Sequence, residues 1–168
     1  MVEIIKQLYV GDDEDYERLK GREGWSFLRI CKEGSGGHRQ TLVYHTLGAP
    51  KDSPNYLWIR KGHLMALNVL DLDDPKMIPE LPITKGLEFL KERFDAGDKI
   101  LSACNAGHSR GPTVMLLFLR AIGEMPESFP RAVRKFKTLY PAYDPGIGMR
   151  TFSRTHWQQL KDNFYGTE

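Results

Sequence analysis

The chain predicts a single α/β domain with a mostly parallel central sheet flanked by helices. Three observations carry this reading. Short apolar runs without polar alternation, such as HLMALNVL at 63–70 and KILSA at 99–103, have the pattern of strands buried on both faces. Segments with apolar residues at helical spacing follow them. No proline-rich or low-complexity stretch divides the 168 residues, so residues 1–168 read as one domain with enough length for a full core.

The elements follow in order. IIKQLYVG, 4–11, is rich in β-formers and ends at a glycine, so it reads as one strand. Asp12 or Asp13 can cap a short helix through Leu19. WSFLRIC, 25–31, is the next strand, and KEGSGGHRQ is a glycine-marked loop. QTLVYHTL, 40–47, has strand composition, and GAPKDSPNY is loop. After strand 63–70, DLDDPKMIPELP is an acidic loop punctuated by proline. Ile83, Leu87, Leu90 and Phe94 share a helical face, and Gly97 closes that helix. The loop CNAGHSRG then leads into PTVMLLFLRAIG, which begins with proline and is apolar nearly all round, as a buried central helix requires. SFPRAVRKFKTLY is amphipathic, with Phe129, Val133, Phe136 and Tyr140 on one face. PAYDPGIG is loop. MRTFSRTHWQQLKDNF is the last helix, with Met149, Phe152, His156, Trp157 and Leu160 facing inward.

Composition narrows the function classes. The net charge of +2 is too small to argue for nucleic acid or a membrane surface. Two cysteines, Cys31 and Cys104, exclude a disulfide scaffold and favour a reducing cytoplasm. Neither belongs to a Cys-x-x-Cys pair, and His38, His45, His63 and His156 have no metal-ligand spacing. The opening MVEIIKQLYVGDDEDY has no apolar run of signal length. The expectation is a soluble cytoplasmic monomer. Arg131, Arg134, Lys135 and Lys137 read as a solvated helix face.

The chemistry concentrates at 104–110. In an open α/β sheet, ligands bind beyond the carboxyl ends of the strands, where Cys104 lies. Small residues and glycine between a buried strand and a buried helix let backbone N–H groups of Asn105, Ala106, Gly107, His108, Ser109 and Arg110 converge as an anion nest. A cysteine at the base of such a nest is a thiolate nucleophile at neutral pH. Arg110 can fold back over the loop and grip two oxygens of a phosphate. Ser109 reads as a ligand of loop backbone, and His108 as a residue of the rim.

Cys104, Gly107, Ser109 and Arg110 match residue for residue the Cys-x-x-Gly-x-Ser-Arg signature of the dual-specificity branch of the protein tyrosine phosphatases, which ILSACNAGHSRGPTVMLLFL resembles. LYVGDDEDY, LNVLDLDDP and YPAYDPGIG resemble, more weakly, its opening strand, the strand that delivers its general acid, and its C-terminal segment. The resemblance implies a protein-tyrosine-phosphatase-like fold and phosphomonoester hydrolysis through a phosphocysteine, with no metal or cofactor. The partner it implies is a phosphorylated protein or a small phosphate ester. It also implies an acid on the loop after strand 63–70. Asp71 fits by register, since it follows NVL directly, and Asp73 fits by spacing from Cys104. The other carboxylates of that loop, Asp74 among them, read as solvating or capping groups.

Two positions depart from the family pattern. Ala103 stands where a histidine commonly precedes the cysteine, and Gly111 where a hydroxyl commonly follows the arginine. Thr113 replaces that hydroxyl only if the helix start turns it inward. The departures keep open a phosphate-binding pseudophosphatase, and a non-protein phosphate ester remains an alternative substrate. Cys31 reads either as core or as a reversible disulfide partner that protects Cys104.

Overall fold

The computed structural model describes residues 1–160. A six-stranded sheet of order β1-β2-β6-β3-β5-β4 forms the centre. Its strands are β1 (Val2–Ile5), β2 (Leu8–Gly11), β3 (Trp25–Ile30), β4 (Trp58–Lys61), β5 (Leu64–Leu67) and β6 (Lys99–Ala103). β2, β6, β3 and β5 run parallel, while the edge strands β1 and β4 are antiparallel to their neighbours. The helices are α1 (Asp13–Leu19), α2 (His38–Leu42), α3 (Glu80–Asp95), α4 (Arg110–Ala121), α5 (Phe129–Leu139) and α6 (Ile147–His156). The predicted fold class is the observed one.

Four expectations about individual elements need correction. The run 4–11 is a hairpin, because Gln7 takes a positive φ of 75° and its amide donates to Glu3 Oε1 at 3.1 Å. Folding back there buries Ile4, Leu8 and Val10 together. Strand β4 was not expected. It pairs with β5 through a turn at Gly62, whose φ of 59° favours a residue without Cβ. The expected strand 40–47 is instead replaced by α2 and the segment after it. The buried His38 ring opens that helix, with Nε2 donating to the Asn55 carbonyl at 2.7 Å and Nδ1 facing Tyr44 Oη at 3.3 Å. Burial lowers the His38 pKa, and the neutral tautomer satisfies both contacts. The strand expected at 63–70 ends at Leu67, since Asn68 turns to bond Leu57 and Tyr56.

The other elements match within a turn. Asp12 is the cap of α1: its Oδ1 accepts from the Asp15 amide at 3.0 Å and its own amide donates to Asp15 Oδ2 at 3.3 Å. Asp13 is thereby left free for other contacts. The last predicted helix begins at Ile147 and is regular to His156, and its predicted residues 161–164 lie outside the described residues.

Helix α4 explains the arrangement. Every residue from Gly111 to Ala121 is buried, so the helix must be enclosed by the sheet and by other helices. α3 and α6 pack along it, with Phe118 meeting the edge of Phe94 at 6.0 Å. Its first turn is therefore held rigidly at the carboxyl end of β6. Phe118→Ala is expected to lower unfolding free energy by about 3–5 kcal/mol, read as a lower urea midpoint with an unchanged slope.

Candidate active site

Cys104 follows β6 directly and is almost fully buried at the base of a loop that ends where α4 begins. The loop's peptide planes are set by donors outside it. The Cys104 carbonyl accepts from Arg29 Nη1 at 3.4 Å, and that of Asn105 from the Asp13 amide at 3.2 Å. The Gly107 carbonyl accepts from Tyr140 Oη at 2.9 Å, and that of His108 from the Asp144 amide at 2.9 Å. The Ser109 carbonyl accepts from the Thr113 amide at 2.9 Å as α4 begins. Across a trans peptide the N–H points opposite to the C=O. Outward carbonyls therefore turn the amides of 105, 106, 108 and 109 toward the inside of the loop. None of these amides meets an acceptor among the described residues. Gly107 has a φ of 74°, and a Cβ there would lie 3.1 Å from the Gly11 carbonyl oxygen and 3.2 Å from Tyr140 Oη.

Arg110 lies over this loop. Its Nη1 donates to the Val69 carbonyl at 3.0 Å and its Nη2 to Asn105 Oδ1 at 2.9 Å. The Nε–H is buried without a partner. A guanidinium has five N–H donors, so Nε–H and one hydrogen on each Nη are left for a ligand. Ser109 Oγ accepts from the Gly146 amide at 3.0 Å, which ties the loop to the C-terminal segment. His108 is exposed on the rim, its Nδ1 at 3.2 Å from the Ala142 carbonyl. Ala106 is exposed.

The two candidate acids are placed differently. Asp71 Oδ1 lies 2.7 Å from where a Cβ on Gly146 would stand, beside the glycine that bonds Ser109. Both residues are exposed, and Asp73 comes near that segment through its main chain, its carbonyl carbon 3.3 Å from a Cβ position on Gly148. Asp74 caps a 3-10 turn, Pro75–Met77, by accepting from the Lys76 amide at 2.9 Å. Only Asp71 thus brings its carboxyl against the segment bonded to the loop.

The two departures have structural settings. Ala103 is fully buried in register with Arg29 on the neighbouring strand. A Cβ on Gly111 would lie 2.9 Å from the Cys104 amide nitrogen and 3.0 Å from Ala103 main chain, so this first turn of α4 is pressed against the end of β6. Ser102 Oγ reinforces the approach by donating to the Gly111 carbonyl at 2.9 Å. The Thr113 hydroxyl is engaged with Tyr143 Oη at 3.2 Å. Cys31 is fully buried at the end of β3, and both cysteines are free thiols. Burial pushes the Cys31 thiol up from 9.0 to about 11, against the opposing fields of Arg29 and Arg110.

Arg29 and Tyr143 escaped the sequence reading, Tyr140 was read only as part of an apolar helix face, and Asp13 only as a cap. A charged residue inside the apolar run WSFLRIC was the available signal for Arg29.

The fold is shared with solved dual-specificity-type phosphatases. The chain superposes on DUSP15 with a TM-score of 0.63 at 16% identity, covering 98% of this chain and 94% of that one. PTPMT1 gives 0.62 at 14% identity over 96% of each chain. The human tyrosine phosphatase-like serine/threonine/tyrosine-interacting protein gives 0.57 at 18% identity, over 99% and 98%. No protein-family profile and no curated protein sequence matches the chain.

Two predictions follow from the packing at this site. Gly111→Ser is expected to destabilise the chain by about 1–3 kcal/mol, because the new Cβ meets main chain on β6; chemical denaturation reads the loss. The raised Cys31 pKa means the folded chain holds that proton more tightly than the unfolded one. Its contribution to stability is complete below pH 9.0 and disappears as pH rises through about 11. Iodoacetamide at pH 8 should therefore leave Cys31 unmodified until urea unfolds the chain, as peptide mass spectrometry would show; equal labelling of folded and unfolded protein contradicts the assignment.

Proposed function

We propose that this chain is a cysteine-dependent phosphomonoester hydrolase acting on phosphotyrosine and related phosphate esters. The observation that carries the reading is the loop 104–110, where the carbonyls of 104, 105, 107, 108 and 109 are held by donors outside the loop or in α4 while the amides of 105, 106, 108 and 109 meet no acceptor among the described residues. Such a nest at a helix N-terminus suits a phosphate dianion. Arg110, held by Val69 and Asn105 with Nε–H free, supplies the cationic fork.

In this reading the Cys104 sulfur attacks phosphorus as the ester P–O bond breaks. The leaving oxygen takes its proton from Asp71. Water, deprotonated by the Asp71 carboxylate, then attacks the phosphocysteine, and the P–S bond breaks to release phosphate and the thiolate. The amides of 105–110 and Arg110 stabilise charge on the equatorial oxygens in both steps. Asp71 is assigned over Asp73 because its carboxyl lies against Gly146, beside Ser109. No metal takes part. No described helix is long and apolar enough to cross a membrane. Two buried free thiols suit a reducing compartment such as the cytoplasm.

A second reading, a phosphate-binding module that does not turn over, is favoured by one feature. The position after Arg110 has no hydroxyl, and that of Thr113, two residues on, is engaged by Tyr143. Phosphoenzyme breakdown is the step this arrangement supports least.

p-Nitrophenyl phosphate is expected to be hydrolysed in the presence of a chelator, and Cys104→Ser to abolish the reaction. Asp71→Asn is expected to reduce kcat by about 10²–10⁴-fold, with Asp73→Asn near wild type. Unchanged turnover in Cys104→Ser overturns the mechanism. Tight phosphotyrosine-peptide binding without single-turnover phosphate release selects the second reading.

A further inference from the structure

This inference rests on the phosphatase reading and deepens it. Behind the loop lies a line of polar groups that the proposed chemistry leaves unused. Arg29 sits one residue before the carboxyl end of β3 with no exposure to solvent. Its Nη2 pairs with Asp13 Oδ1, its Nε donates to the Ser35 carbonyl at 2.9 Å, and its Nη1 reaches the Cys104 carbonyl at 3.4 Å. Its guanidinium carbon lies 5.0 Å from the centroid of the Tyr16 ring. Ala103, the in-register neighbour on β6, contributes only a methyl group on that face.

The line continues outward from Asp13. Asn105 Nδ2 donates to Asp13 Oδ2 at 3.1 Å and to the Glu33 carbonyl at 2.9 Å. Both of those partners are pure acceptors, so the amide group of Asn105 has one satisfactory orientation. Its NH2 must face Asp13 and Glu33, which turns Oδ1 toward Arg110 Nη2. The Asp13 amide also fixes the Asn105 carbonyl. One carboxylate thus sets both the side chain and the backbone of the residue after the nucleophile.

We propose that Arg29, Asp13 and Asn105 form a positioning relay that fixes the direction of the Arg110 guanidinium and the first peptide planes of the phosphate loop. Val69 holds one terminal nitrogen of Arg110, and the relay holds the other. Two anchors define the plane of the fork, where one would leave it free to swing. Arg29 carries the buried charge that orders Asp13, and its reach to the Cys104 carbonyl adds a direct hold on the loop. None of the three side chains needs to touch substrate.

The relay is tested with p-nitrophenyl phosphate kinetics and with inorganic phosphate binding by calorimetry, alongside thermal melting. Asn105→Ala cuts the middle link without leaving a buried charge alone. The pair Arg29→Met with Asp13→Asn removes the buried charge together with its half-buried partner, which avoids the penalty of an orphaned ion. Each is expected to lower kcat/KM by about a hundredfold, the cost of a small misplacement at a reacting centre, and to weaken phosphate binding while the chain stays folded. Combining all three changes should cost no more than either set alone, since members of one unit are not additive. Folded variants that keep wild-type kcat/KM and phosphate affinity overturn the relay, as do losses that multiply. If the double variant fails to fold, Asn105→Ala decides. A wild-type chain that neither binds phosphate nor hydrolyses the ester overturns the functional reading and the relay with it.

Discussion

A backbone that reserves its N–H groups for a ligand has to place its carbonyls elsewhere, and buried carbonyls left unpaired are costly. The stretch 104–109 meets this constraint with help from distant parts of the chain. α1 sends the Asp13 amide, β3 sends Arg29, the end of α5 sends the Tyr140 hydroxyl, and the 141–146 segment sends the Asp144 amide. The first turn of α4 closes the set. Each donor lies on a different element, so the fold must bring all of them to one strand end. The amides are then oriented by the fold itself, which is the preorganisation the proposed anion site calls for. Tyr140 suits its place because burial raises its pKa and keeps the phenol a donor.

The features legible in the sequence were those with local causes. KILSA is a short apolar run, and residues 112–123 open with proline and are apolar on all sides, so strand, loop and buried helix at 99–121 follow from pattern alone. The Cys-x5-Arg spacing then lies between them. What escaped depends on remote partners. Strand β4 exists because it pairs with β5, and α2 exists because the His38 ring finds Asn55 and Tyr44. The hairpin at Gln7 is set by where β2 must lie against β6. Local composition at 40–47 favours strand, and tertiary contacts override it.

The same division holds within the site. Cys104 and Arg110 were readable from spacing, and their supports were not. Arg29 was absorbed into a strand pattern that sorts residues by face and says nothing of what a charge meets there. Its burial is tolerable only because Asp13, two carbonyls and the Tyr16 ring surround the guanidinium. That surrounding in turn requires Asp12, rather than Asp13, to cap α1. Sequence alone leaves these two aspartates equivalent; the site separates them.

The acid loop raises the same issue from the opposite side. Asp71 belongs to a segment held at several points: the Val69 carbonyl on Arg110, the Leu72 carbonyl against Gly148, and Asp74 on its own turn. A Cβ on Gly148 would stand 1.8 Å from the Leu72 oxygen, and one on Gly146 would stand 2.7 Å from Asp71 Oδ1. The approach of the two segments therefore depends on two glycines in GIG having no side chain. Gly146 also bonds Ser109, so the 104–110 loop, the segment bearing Asp71 and the start of α6 share one junction. Through Arg110, the carbonyl of Val69 links the 104–110 loop to the segment bearing Asp71. Asp71 and Arg110, the proposed proton donor and phosphate clamp, are in this way positioned by one set of contacts, although they come from separate strand-to-helix connections.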